Sequence, residues 1–142
     1  MAMICIPDLL QPSLALDAVL HRALIGPAIL IPGRAASADG GKLVPAYSRC
    51  ITAAASLVER RLPEATWSMT RTPAADLVQL TCPNRGQLEA ETARGSGALA
   101  LSLMAMLALR LALTPEDQAH MFDWLARVAQ DPEEIRRITL QV

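Results

Sequence analysis

The sequence predicts an α+β domain in which a three-stranded antiparallel sheet packs against two main helices, with an N-terminal helix and a C-terminal helical pair added. Two observations lead to this prediction. The segment Gly97–Leu113 consists almost entirely of strong helix formers and is apolar on nearly every side, which is typical of a helix covered from several directions. Before it, residues 66–92 contain three short segments of alternating polar and apolar side chains, as in strands with one buried face.

Composition is that of a globular protein, since 52% of the 142 residues are hydrophobic and 19% are charged. A net charge of −1 provides no global attraction to nucleic acid or anionic lipid. Three widely spaced cysteines and an N-terminus without a signal-peptide pattern predict reduced thiols and a cytoplasmic location. The uninterrupted apolar stretch Ala98–Leu109 is shorter than the roughly 20 residues needed to cross a bilayer, so we expect no membrane span.

Residues 1–44 are predicted to form an N-terminal helix followed by a loop. Ser13 is a good N-cap, and apolar residues recur at helical spacing as far as Leu24. The short apolar run Ala28–Ile31 fits a strand, and Pro32–Lys42, rich in Gly, Ala and Ser, is predicted to be a loop.

Residues 45–113 are predicted to form the core module. A helix spans Tyr47–Leu62, with Cys50 on its apolar stripe, and Pro63 ends it. Three strands follow, and the helix Gly97–Leu113 closes the module. The predicted strands cover residues 66–72, 76–82 and 87–92.

Residues 114–142 are predicted to form a C-terminal helical extension. Thr114 is a hydroxyl N-cap followed by Pro115, and the helix extends to about Ala129. A last short helix continues through Ile138 and Leu140. The apolar face of the longer helix is our candidate protein interface, formed by Met121, Phe122, Trp124, Leu125 and Val128.

A search for catalytic or metal-binding patterns finds none. His21 and His120 each follow a carboxylate by one helical turn, which predicts surface pairs with Asp17 and Glu116. No cluster has metal-ligand spacing, and no serine or cysteine lies in a recognisable nucleophile motif. The sequence therefore predicts a protein that is not an enzyme and holds no cofactor or metal. The carboxylates of the sheet are expected to share one solvated face: Asp76, Glu89 and Glu91.

The arginines form the one candidate charged binding surface in the sequence. Six of them lie on the first core helix or in and beside the sheet, where they could bind phosphate or an acidic partner, although glutamates nearby offset their charge. This candidate anion or nucleic-acid patch consists of Arg49, Arg60, Arg61, Arg71, Arg85 and Arg94.

The order helix, three strands, helix resembles a family of small phage and prophage proteins of unknown function, the ABA-sandwich proteins. The matching features are Pro45-Ala46-Tyr47-Ser48 at the start of a helix, Trp67-Ser68 in the first strand, and Ala98-Leu99-Ala100-Leu101 at the start of the second helix. Thr52 departs from an expected acidic residue, and Ser96-Gly97 replaces the usual Thr-Pro. The resemblance implies the fold and a phage association, and no catalytic residue.

The same order of elements also resembles a double-stranded-RNA-binding domain. Such domains begin their second helix with lysines that grip phosphates. Here the corresponding positions are Ala98, Leu99, Ala100 and Leu101, which argues against RNA binding by that helix.

Two functions therefore remain open. The first is a phage-associated accessory protein that acts by binding another protein, with homodimerisation through the Met121–Val128 face or the N-terminal helix as one form of that contact. The alternative is a nucleic-acid- or anion-binding module that uses the arginine-bearing sheet and helix. A small hydrolase or transferase would need a polar pocket with convergent histidines or carboxylates, which the sequence does not predict.

Overall fold

A four-stranded sheet with helices on one face organises the computed structural model, which describes residues 2–8, 10–31, 34–37 and 42–137. The described residues form an α+β fold with five helices. In chain order the elements are β1 (Ala2–Ile4), α1 (Leu14–Leu24), β2 (Ala28–Ile31), β3 (Arg34–Ser37), α2 (Ile51–Arg61), β4 (Thr66–Arg71), β5 (Ala75–Cys82), β6 (Gly86–Ala93), α3 (Gly97–Leu109), α4 (Pro115–Val128) and α5 (Pro132–Arg137).

The sheet has the strand order β1-β6-β5-β4. Strands β4, β5 and β6 form the predicted antiparallel meander, with Val78 opposite Ala90 in the centre. The prediction of only three strands was wrong, because β1 pairs in parallel with β6 and places Met3 opposite Glu89. Three residues carry too little periodicity to predict a strand, and this pairing joins segments far apart in sequence.

A second, two-stranded sheet forms where a loop was predicted. β2 is the expected strand, and β3 pairs with it in antiparallel register, with Ala28 opposite Ser37. Ala35 and Ala36 are buried, so small apolar side chains bring this hairpin against the protein core, where it contacts α1. The other parts of the predicted loop, residues 32–33 and 38–41, lie outside the described residues.

α3 is buried on every side, as its composition predicts. All residues from Gly97 to Ala108 are buried, and the helix packs against α2, β5, β6 and α1. It ends at Leu109, four residues before the predicted end. The reason is Leu111, whose φ of 53° is left-handed and whose neighbour Ala112 donates its backbone N–H to the carbonyl of Leu107 at 2.9 Å.

Local capping signals give the correct starts of two helices. The Ser13 hydroxyl accepts the backbone N–H of Leu16 at 3.0 Å, and the Thr114 hydroxyl accepts that of Asp117 at 3.1 Å. α2 begins at Ile51 and not at Tyr47. The final helix is described over Pro132–Arg137, and the predicted Ile138 and Leu140 lie outside the described residues.

Candidate functional site

The structure divides the six arginines of the predicted patch. The β5–β6 hairpin places Arg85 at one end of the sheet, whereas Arg71 and Arg94 lie at the other end, about 24 Å away for an eight-residue strand. Arg49 lies beside the first turn of α2 and pairs with Asp17 at 2.9 Å. The six side chains therefore do not form one continuous surface, and only Arg61 among the others lies with Arg85.

Arg61 and Arg85 instead line a groove of about 850 Å³ together with Arg110. We call it the arginine groove. Its guanidinium groups come from the last turn of α2, the β5–β6 turn and the C-cap of α3, so three separate elements bring them together. The remaining lining residues are Leu24, Leu109, Leu111, Ala112, Asp117, His120, Met121 and Trp124.

Backbone carbonyls orient two of these arginines. Arg61 donates an Nη1 hydrogen bond to the carbonyl of Leu24 at the end of α1. Arg85 donates from Nη1 to the carbonyl of Ala108, at 3.0 Å, in the last turn of α3. A neutral carbonyl fixes the guanidinium without cancelling its charge, and each arginine has further N–H donors in its planar fork.

An aromatic ring positions the third arginine. The guanidinium carbon of Arg110 lies 6.0 Å from the centre of the Trp124 ring, at the outer limit of a cation–π contact. Burial lowers the pKa of Arg110 from its ordinary value, but a guanidinium still carries its charge at neutral pH. Arg110 was absent from the predicted patch, although its place at the end of an apolar run was a signal that this side chain reaches solvent.

The charge of the groove is positive in a chain whose net charge is −1. Asp117 is its one carboxylate among the described residues, against three guanidinium groups. The C-terminus of α3 contributes roughly half a negative charge, which Arg85 partly offsets. A cleft of about 140 Å³ beside the groove shares Arg61 and Arg85 and adds Glu64. The arrangement suits a carboxylate or phosphate, because planar guanidinium forks match both in geometry.

The predicted apolar interface is largely part of the protein's own core. Phe122, Leu125 and Val128 are buried within the chain, so the five residues do not form one accessible face, which corrects the prediction. Met121 and Trp124 are half-buried and line the arginine groove. Three members turn inward because α4 packs this stripe against the rest of the fold, as an amphipathic helix normally does.

The predicted surface pair of Asp17 and His21 was also wrong, because both side chains are buried. Asp17 accepts the hydroxyl of Ser48 at 2.6 Å and the backbone N–H of Ser48 at 2.8 Å, and it pairs with Arg49. Nδ1 of His21 lies 2.9 Å from the hydroxyl of Tyr47. These contacts fasten residues 47–49 to α1 and explain why α2 starts late.

Burial governs the protonation of this network. It lowers the pKa of His21, with help from the charge of Arg60, and raises the pKa of Tyr47 to about 12. The Ser48 hydroxyl donates to Asp17 and not to a histidine, so the three residue types of a serine-nucleophile triad are present without its geometry. His120, by contrast, is exposed and lines the groove.

The three carboxylates predicted to share a sheet face do not. Asp76 is buried on the helix-covered face of the sheet, the same face as Val78 two residues later, whereas Glu89 and Glu91 lie on the other face. Two hydrogen bonds from Arg71, at 2.9 and 3.1 Å, and one from the backbone N–H of Gly95 reach the carboxylate of Asp76. The bond from Arg71 is the main reason why the pKa of Asp76 is lowered.

Cys50 is exposed at the N-cap of α2 and does not lie on a buried stripe, contrary to the prediction. Backbone N–H groups of Ala53 and Thr52 lower the pKa of its thiol. Cys5 is also exposed, whereas Cys82 is buried, and burial raises its pKa.

Among the described residues no group of three or more histidine, cysteine or acidic side chains could hold a metal ion. In the same part of the chain no helix has the length and apolar character needed to cross a membrane. No protein-family model, no curated protein and no solved structure matches this chain.

Proposed function

We propose that this chain is a non-enzymatic binding protein that recognises an acidic partner in the arginine groove. The observation that carries the proposal is the convergence of Arg61, Arg85 and Arg110 on one open groove with a single carboxylate in its described lining. This proposal joins the two functions left open by the sequence: contact with a protein partner, and binding of anions by arginines.

The position of the charges supports a protein partner over a nucleic acid. A duplex needs positive charge spread along its backbone, and Arg71 and Arg94 lie at the far end of the sheet from Arg85. Arg71 is also engaged by Asp76. The phage or prophage setting and the cytoplasmic location predicted from the sequence remain part of the proposal.

Fluorescence titration with labelled poly-L-glutamate and with duplex RNA tests the proposal. We expect poly-L-glutamate to bind at about 50 mM salt and to weaken as salt rises, because exposed charges are screened within about 10 Å at 0.1 M. Arg85→Gln and Arg110→Gln should each weaken binding about tenfold, as expected for a lost charged hydrogen bond.

Arg94→Gln is the matched control, since Arg94 is exposed and remote from the groove. Equal weakening by Arg94→Gln would show that binding follows net charge and not the groove. RNA binding that depends on Arg71 and Arg94 would instead support the nucleic-acid alternative. No binding of either polyanion at low salt would refute both.

A further inference from the structure

Leu111 at the rim of the arginine groove combines two unusual properties. Its φ of 53° is in the left-handed region, where any side chain with a Cβ is disfavoured and glycine is the usual residue after a helix. Its side chain is also 56% exposed. Neither folding nor solubility explains a leucine there, because glycine would fit the backbone better and expose no apolar surface.

The groove provides a reason for this leucine. Leu111 lines it together with Met121 and Trp124, which are half-buried, so an apolar surface adjoins the three guanidinium groups. Leu113, on the same α3–α4 connection, is 39% exposed. Backbone strain that persists at an exposed position is typical of a site where the side chain has a role in binding.

We infer that the arginine groove binds an extended peptide segment in which acidic side chains adjoin a large apolar side chain. This inference rests on the proposed function. The carboxylates pair with Arg61, Arg85 and Arg110, and the apolar side chain covers Leu111 and Met121. A peptide fits better than a nucleic acid strand, because an aliphatic side chain covers more of an exposed leucine than the polar sugar–phosphate backbone does.

The ring of Trp124 points to the same occupant. Nucleic-acid strands are bound through aromatic faces on which bases stack. Arg110 lies over the Trp124 ring, 6.0 Å from its centre, so a base that stacks on that face would meet the guanidinium group. Arg110 and Trp124 both line the groove, so a charged group adjoins an apolar ring there, which matches a side-chain carboxylate beside an aliphatic side chain.

Two labelled peptides test this inference. One has the repeated sequence Glu-Glu-Leu-Leu, and the other has the sequence Glu-Glu-Ser-Ser of equal length and charge. We expect the leucine peptide to bind about tenfold more tightly, which corresponds to burying about half of one leucine side chain.

Leu111→Gly separates binding from folding. Removing the left-handed leucine should raise Tm by about 2–4 °C, because the backbone strain at this position disappears. The same variant should lose most of the preference for the leucine peptide. Leu43→Ala is the matched control, because Leu43 is 67% exposed and does not line the groove, and it should change neither quantity.

The outcomes distinguish the two proposals. If both peptides bind equally and Arg85→Gln weakens both, the acidic partner stands and the apolar part of the inference is refuted. If Leu111→Gly is stabilised yet keeps the full preference for leucine, Leu111 has no role in recognition and the inference is again overturned. If neither peptide binds, the proposed function fails.

Discussion

Asp76 offers a quantitative test of how the sheet holds α3. Its buried carboxylate accepts two hydrogen bonds from Arg71 and one from the backbone N–H of Gly95 at 3.0 Å, and the backbone amide of Gly97 at the start of α3 also lowers its pKa. We predict that Asp76→Asn destabilises the fold while leaving its secondary structure unchanged.

The magnitude follows from the backbone bond that Gly95 donates. A hydrogen bond to a charged acceptor contributes about 1.5–3 kcal/mol, and the NH2 group of an asparagine placed there cannot accept it, so we expect a net loss of about 1.5–3 kcal/mol. The side chain of Arg71 is 48% exposed, and solvent screening makes its share smaller. For a chain of this size the loss corresponds to a fall in Tm of about 3–12 °C.

The close approach of Gly97 to Asp76 requires that the substitution at position 76 keep the size of the side chain. A Cβ at Gly97 would lie 3.1 Å from Oδ2 of Asp76 and 2.3 Å from Sδ of Met69, so the helix start and the carboxylate are in close approach. A larger residue at position 76 would confound lost hydrogen bonds with steric displacement of the helix. Asparagine retains the shape, removes the charge and replaces one acceptor oxygen with an NH2 donor.

Urea denaturation followed by circular dichroism measures the loss at pH 7. Glu91→Gln is the matched control, because Glu91 is exposed on the opposite face, and it should change the free energy of unfolding by less than about 0.5 kcal/mol. Arg71→Gln should destabilise less than Asp76→Asn. A loss below about 0.5 kcal/mol for Asp76→Asn, or equal losses for the two variants, would refute the assignment of the stability to the backbone bond from Gly95.

Three other predictions concern the remaining buried and exposed polar groups. The pKa of His21 is lowered in the fold, so below pH 6.5 the unfolded chain binds a proton that the folded chain does not, and the free energy of unfolding falls. In urea denaturation, His21→Gln should therefore lose less stability than the native chain between pH 7.5 and 5.5, and an equal loss would contradict this. Asp17→Asn should destabilise by about 2–4 kcal/mol in the same assay, because it weakens bonds to Ser48 in the core, and an unchanged midpoint would count against it. Iodoacetamide should alkylate Cys50 many times faster than buried Cys82 at pH 7, as read by peptide mass spectrometry, and comparable rates would show that neither exposure nor the helix amides matter.

What could be predicted from the sequence were the features with local causes. Ser13 and Thr114 cap their helices through hydrogen bonds to residues three positions on, and the meander follows from alternation within each strand. β1 could not be predicted, because three residues have little pattern of their own and their partner strand lies more than eighty residues away.

The burial of Asp76 was predictable from its position in the strand, although its charge suggested exposure. It has the same parity as Val78 and Leu80, so a strand that buries those residues must also direct Asp76 to the covered face. Its charge alone predicts that Asp76 lies in solvent with Glu89 and Glu91. A buried carboxylate in a correctly predicted strand indicates a partner, and Arg71, directly opposite in the hairpin, is that partner.

The arginine groove shows how structural and binding roles share the same side chains. Arg85 satisfies a carbonyl in the last turn of α3, and Arg61 satisfies one at the end of α1, so both contribute to the fold before any ligand is bound. A lysine has one nitrogen where arginine has a planar fork of five N–H donors, so lysine could not hold the carbonyl and present a second donor in a fixed direction. The chain has twelve arginines and one lysine among its thirteen basic residues. At the groove this preference follows from the need to cap a helix end and keep an oriented positive charge on the same residue.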